Sequence, residues 1–245
     1  GMDRAFGKLR QSLETLGMRE NTLLWYCSDN GALPKVGRTG GFRADKGDVY
    51  DGGLLVPSIL EWPARFPKPA VIEARSNTFD ILPTVLELAQ IDRRSAHQLD
   101  GESLLPLLEE TATQRTRPMG FWDNLARGIS TPSENWMQEL KEAQAQGGDL
   151  PPNSDVVAAM ALPDPRVSKD SFPGHSAWID GDWKLHRIES KAGQVKVELY
   201  DLKSDPFEET DLAGENPDRV EAMQTALQEW LSDVVDSLNG EEYES

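Results

Sequence analysis

Residues 22–57, TLLWYCSDNGALPKVGRTGGFRADKGDVYDGGLLVP, decide how this chain is read. The stretch opens on a short apolar run, Leu23-Leu24-Trp25-Tyr26-Cys27, rich in aromatics and too short for a helix. Such a run predicts a buried β-strand. It stops at Ser28-Asp29-Asn30-Gly31, and in open α/β sheets ligands gather beyond the carboxyl ends of strands. Asp29 and Asn30 offer carboxylate and amide oxygens, which suit a hard cation such as Ca²⁺ or Mg²⁺. A loop with Gly37, Gly40, Gly41, Gly47, Gly52 and Gly53 follows, with Lys46 in its middle. Glycines let a backbone approach a ligand closely, and a lysine ammonium is a compact charge for an oxyanion. Taken alone, Asp29-Asn30-Gly31 reads more readily as an ordinary turn.

The ordered series is more specific than any one piece. SDNG at 28–31, GG-x-R-x-x-KG at 40–47, Y-D-GG-x-x-VP at 50–57 and Trp62-Pro63 follow one another. Together they resemble the second half of the sulfatase family, within the alkaline phosphatase superfamily. Further on, F-D-I-L-P-T at 79–84 and ELYDLKSDPFEETDLA at 198–213 resemble the family's later helix and closing signature. The resemblance covers roughly residues 3–108 and 175–235.

That resemblance implies sulfate ester hydrolysis by a formylglycine nucleophile made within a C/S-x-P-x-R motif, with calcium and basic side chains holding the sulfate. It implies that Asp29 and Asn30 are two of the calcium ligands and that Lys46 contacts a sulfate oxygen. His175, beside Gly174 at a strand start, is a further candidate for reaching substrate; a structural or surface histidine is the commoner case. Cys27 is followed by Ser28-Asp29-Asn30-Gly31, which is not the nucleophile motif, so Cys27 is expected to be an inert strand residue. Leu55 stands where many relatives carry arginine, in GG-x-R-V-P. The family's first metal aspartates, motif arginine and catalytic lysine and histidines lie N-terminal to the matching region. They are therefore expected to be absent, leaving the C-terminal portion of a sulfatase, inactive on its own. Two rivals stay open: a phosphodiesterase or phosphonate hydrolase of the same superfamily, and a non-catalytic anion- or glycan-binding remnant.

Composition narrows the partners. The chain has 245 residues, 42 acidic against 25 basic, for a formal charge of −17. That charge argues against nucleic acid and anionic membranes as partners. Yet residues 35–46 carry Lys35, Arg38, Arg43 and Lys46 against Asp45 alone, a basic patch of the kind a sulfated small molecule or glycan would need. Mean hydropathy is −0.53, and no apolar stretch nears the ~20 residues that span a bilayer, so a soluble protein without a signal peptide is expected, its compartment left open. One cysteine allows no internal disulfide.

The expected fold is α/β: part of a mixed sheet flanked by helices, then a smaller antiparallel sheet packed by a C-terminal helix. Phe6, Leu9, Leu13 and Leu16 predict a helix over 2–18, ended by Gly17; strands are predicted at 22–28 and 54–62. Phe79 to Ala89 reads as a helix with Pro83 in its first turn or at a kink. Met119–Trp122 reads as a strand and 134–146 as an exposed helix. Further strands are predicted at 177–180, 183–188 and 195–199, then a helix capped by Asn216 with a stripe of Val220, Met223, Leu227, Trp230, Val234 and Leu238. His97 falls in a polar loop and His186 on a sheet face; residues 240–245 are expected to be disordered. The division reads as 1–116, the C-terminal half of a catalytic α/β domain, and 117–245, an antiparallel subdomain with an irregular, proline-rich insertion at 123–174. An uncovered edge of the first sheet invites self-association.

Overall fold

A computed structural model describes residues 1–92, 99–124, 133–148 and 167–241. His97, much of the irregular insertion and residues 242–245 lie outside the described residues. The fold class is as expected: helices with a two-stranded and a four-stranded sheet, followed by a C-terminal helix. Every strand pair among the described residues is antiparallel.

The first sheet joins β1 (Leu24–Cys27) to β2 (Ser58–Glu61), with Leu24 opposite Glu61 and Cys27 opposite Ser58. β1 is half-buried along its length, where a buried strand was expected. Helix α1 (Met2–Thr15) lies beside it and stops three residues short of the predicted end, with Gly17 at φ 66° turning the chain. Phe6 sets its edge on Tyr26 at 5.5 Å, and Arg10 and Arg19 both pair with Glu61. The strand predicted over 54–62 starts late. Asp51–Leu54 forms a short helix, α2, and β2 begins only after Pro57, which has no N–H to give to a ladder.

Helix α3 (Ile81–Leu88) carries Pro83 in its first turn, where proline costs no hydrogen bond. A 3₁₀ turn at Thr78–Asp80 leads into it, closed by a capping box between Asn77 and Asp80. Buried Asp80 also receives the Arg115 guanidinium at 2.6 and 3.2 Å, tying α3 to the segment before the second sheet. A short helix, α4 (Leu105–Leu108), buries Leu105 and Leu107.

The second sheet runs β3 (Met119–Asn124), β4 (Gly174–Asp180), β5 (Trp183–Glu189) and β6 (Val195–Asp201) in that spatial order. Helix α5 (Ser133–Ala145) precedes β4 in the chain, close to the predicted span. Successive strand residues face opposite sides, so each strand serves two environments. Leu185 and Leu199 face helix α6 (Pro217–Leu238), packing with Met223, Leu227, Leu231 and Val235. The predicted stripe therefore holds at Met223 and Leu227 and then shifts: Leu231 and Val235 are buried, Val234 is not, and Leu238 is exposed. The contact row follows one i, i+4 ridge along the helix. Trp230 covers Gly120 so closely that a Cβ there would lie 2.3 Å from the indole. Asn216 occupies the cap position, but its amide donates to the Leu212 carbonyl instead of capping α6. Residues 240 and 241, expected to be disordered, are placed: Gly240 is buried and Glu241 pairs with Lys169.

Leu227 is fully buried at the centre of this contact. Leu227→Ala should lower unfolding free energy by about 2–5 kcal/mol, through lost transfer energy and the cavity left behind. Urea unfolding followed by circular dichroism checks this; a loss under about 1 kcal/mol would mean that α6 is not seated as described.

Candidate active site

The glycine loop is folded against itself. The Gly31 N–H donates to the Gly53 carbonyl at 2.8 Å, and that of Gly52 donates to the Arg43 carbonyl at 2.8 Å. A Cβ on Gly31 would sit 2.0 Å from the Gly52 oxygen, and one on Gly52 would sit 2.1 Å from the Ala44 oxygen. These glycines are thus needed so that backbone can approach backbone, where approach to a ligand was expected. The Lys46 N–H donates to the Ala32 carbonyl at 2.9 Å, which fixes the middle of the loop. Ala44, two residues away, has φ 63°, a left-handed conformation that costs a non-glycine residue of order 1–3 kcal/mol. Such strain persists only where surrounding contacts over-determine it.

The second sheet supplies those contacts. The ladder register places His175, His186, Lys184, Glu198 and Tyr200 on one face, opposite the face that meets α6. Lys184, fully buried, donates to Asp51 Oδ1 at 2.6 Å and reaches Glu208 Oε1 at 3.0 Å. The other Glu208 oxygen accepts the Asp51 backbone N–H at 2.7 Å. Arg43 donates to the Tyr200 hydroxyl and the Glu208 carbonyl, and lies over the Tyr50 ring at 3.8 Å. The Tyr50 hydroxyl donates to Glu198 at 2.5 Å. Beside it runs a line of imidazoles: Glu208 Oε1 to His186 Nε2 at 2.7 Å, His186 Nδ1 to His175 Nε2 at 2.7 Å, His175 Nδ1 to Asp48 Oδ1 at 3.2 Å. Glu208 holds all this from φ 58°, a second strained position.

Charge states follow from this packing. Burial, then the neighbouring Lys184 and His175 charges, push the His186 imidazole well below its ordinary range, so it is neutral. Burial alone would raise Glu198, but hydrogen bonds from Lys196, Tyr50 and Tyr200 outweigh it and bring the carboxyl to about 2. Burial and that same carboxylate push Tyr50 strongly up and Tyr200 up to about 12, so both phenols keep their protons. The His175 bond, opposed by burial, lowers Asp48.

The residues expected to act fall in three places. Lys46 is exposed, and among the described residues its ammonium makes no hydrogen bond or ion pair. Asp29, exposed, and Asn30, half-buried, line a cavity of about 610 Å³ together with Asp51 and Arg75, and Lys46 does not line it. His175 has both ring nitrogens engaged inside the protein. The basic patch is smaller than its sequence suggests: Lys35 and Arg38 are exposed, but Arg43 turns inward onto the tyrosines. As to a cation, the described residues bring no group of three acidic, histidine or cysteine ligands together. Asp51 is committed to Lys184, so Asp29 and Asn30 do not by themselves make a cage for an ion that takes six or more ligands. Sequence reading missed Asp48, Asp51, Lys184, Glu198 and Glu208. For Lys184 and Glu198 a signal was present, as polar residues on alternate positions (Lys184 and His186, Glu198 and Tyr200) inside strands that carry Leu185 and Leu199 on the other face.

Comparison with known proteins covers part of this region. The family model described as Sulfatase matches residues 1–91. Steryl-sulfatase of Mus musculus is 33% identical over 120 residues, which is 45% of this chain and 19% of that protein. Arylsulfatase A of Homo sapiens is 28% identical over 232 residues, 91% of this chain and 40% of that protein. Among solved structures, BT4656 in complex with its substrate D-glucosamine-2-N,6-O-disulfate superposes with a TM-score of 0.55 at 20% identity, over 98% of this chain and 39% of that one. The chain thus spans between about a fifth and two fifths of the length of these proteins.

Lys184→Met would leave Asp51 and Glu208 facing each other without their shared cation, and breaking such a buried pair typically costs about 3–5 kcal/mol. Urea unfolding near neutral pH should show a loss of that order; an unchanged midpoint would sink the network as a structural element. For Glu198, held at about 2 against an ordinary 4.5, the sign is that of a depressed carboxyl. Its stabilisation is complete above about 4.5 and is lost as pH falls toward 2. The stability gap between the chain and Glu198→Gln should therefore narrow over that window, and a constant gap would contradict the assignment.

Proposed function

We propose that this chain, whose residues 1–91 match the sulfatase family model, is the C-terminal portion of a sulfuric ester hydrolase acting on a sulfated small molecule or glycan. The observation that carries this reading is the treatment of one loop: residues 43–51 are strained, welded from below by a buried polar network, and present Lys46 free at the surface. A fixed cation with an uncommitted ammonium is what a developing negative charge on a bridging ester oxygen requires. Lys46 is the residue we assign to the sulfate.

Asp29 and Asn30 are assigned as two of the oxygen ligands to a calcium ion, the remaining ligands coming from outside the described residues. That ion would supply Lewis-acid stabilisation of the sulfate. This chain's own part is to hold the amide and carboxylate at the mouth of a cavity beside the loop. Among the described residues the Asp29 carboxylate accepts no hydrogen bond that would compete, and the Asn30 amide nitrogen donates to the Gly31 carbonyl at 3.2 Å. No C/S-x-P-x-R motif occurs in the sequence, so the nucleophile must be contributed by residues outside these 245. On this reading the chain alone does not turn over sulfate esters, and it retains no tight divalent ion after dialysis.

The test is complementation. The chain with calcium should not hydrolyse an aryl sulfate. Mixed with the N-terminal half of a related sulfatase carrying a matured formylglycine, it should gain turnover, and Lys46→Ala should then lose on the order of 10²–10³ of that rate. Hydrolysis by the chain alone, or a Lys46→Ala rate equal to that of the parent, would overturn the proposal.

A further inference from the structure

The line of imidazoles carries one inference more. Glu208 Oε1 takes the Lys184 ammonium and lies 2.7 Å from His186 Nε2, so this carboxylate is an acceptor and Nε2 carries the proton. His186 is neutral, so its Nδ1 is a lone pair, and the group 2.7 Å away, His175 Nε2, must be the donor. At the far nitrogen, His175 Nδ1 faces Asp48 Oδ1 at 3.2 Å. That oxygen already accepts the Val49 and Tyr50 backbone N–H groups at 2.8 and 3.3 Å, as an ionised carboxylate does. A carboxylate cannot donate, so Nδ1 carries a proton too. The arrangement is complete only when His175 is an imidazolium.

We propose that His175 is a positioning residue for Lys46: as an imidazolium it clasps Asp48 and holds the loop end two residues from the lysine, and on losing its Nδ1 proton it lets that end go. The groups around it fit. Tyr50 packs its ring 4.8 Å away and stays neutral; Asp123 is its partner on β3; His186, between Lys184 and Glu208, is uncharged on β5. A neutral His175 would keep the bond to His186 and turn a lone pair toward the Asp48 carboxylate, which repels it. The side chain is 13% exposed and Asp48 39%, so protons can reach the contact. Release is local, because Arg43, Tyr50 and Asp51 anchor the rest of the loop independently.

Imidazole nuclear magnetic resonance on the uniformly ¹⁵N-labelled 245-residue chain tests this between about pH 5 and 8, the range in which histidine ordinarily changes charge. His186 should stay in the neutral Nε2–H form throughout. His175 should pass from imidazolium to the Nε2–H tautomer, and the amides of Lys46, Gly47 and Asp48 should move with the same midpoint. In Asp48→Asn the His175 transition should no longer drive those amides; His175→Gln should flatten them as well, and if that variant does not fold the Asp48→Asn comparison decides. A His175 that is neutral at the acid end, or loop amides that stay still while it titrates, would overturn the proposal. Its bearing on sulfate rests on the reading above, so inorganic sulfate is added at both ends of the range. Shifts at Lys46 that are larger at acid pH support both; no shift at either pH, with the amides still following His175, leaves the clasp standing and removes the sulfate assignment.

Discussion

A single buried ammonium governs the arrangement of this protein. Lys184 sits on an inner strand of the second sheet with no exposure to water, and it must have counter-charges there or it could not be charged at all. It has two, and they come from distant parts of the chain: Asp51 from the end of the glycine loop, Glu208 from the turn after β6. Satisfying this one charge brings residues 51, 184 and 208 to a common point. Arg43, Tyr50 and Glu198 then close around it. Burying the pair is a weak source of net stability, since the desolvation of three charges offsets most of the attraction. Its effect is on specificity: the loop bearing Lys46 has one place where its polar groups are paired.

Two strained backbone positions adjoin that network. Ala44 and Glu208 both have positive φ, one on either side of the Lys184 network. Neither is glycine, so both need surrounding contacts to keep them there. The neighbouring glycines do a different job, allowing segments 31, 43–44 and 52–53 to lie against each other at distances that no side chain permits. The loop is consequently stiff although it is rich in glycine. Stiffness suits the role proposed for Lys46, because a cation that is already in place needs no reorganisation when charge develops in a transition state.

Much of this was legible in the sequence. The 2-residue alternation of β4 to β6, the Asp180-Gly181 and Gly193 turns, and the apolar row at the start of α6 each follow from local chemistry, and the structure has them. The SDNG stop after β1 located Asp29 and Asn30 at a cavity. What could not be read was long-range charge pairing. Lys184 and Asp51 are 133 residues apart, and nothing local distinguishes either from a solvated surface charge. Arg43 was read as part of a basic patch for the same reason, and is turned inward by tyrosines 7 and 157 residues away. The late start of β2 reflects competition that periodicity cannot see: Gly53 and Leu54 are recruited into a helical turn by the Tyr50 carbonyl.

The strict alternation of the second sheet has a consequence for how it can fail. β5 carries Lys184 and His186 toward the loop and Leu185 toward α6. A slip of β5 by one residue against its neighbours would exchange those faces completely. An ammonium and an imidazole would enter the aliphatic contact with Leu227 and Leu231, while leucine met two carboxylates. Neighbouring registers are therefore excluded by charge as much as by packing, and the strand is self-indexing: misaligned forms carry an unpaired buried cation on one side and unpaired carboxylates on the other.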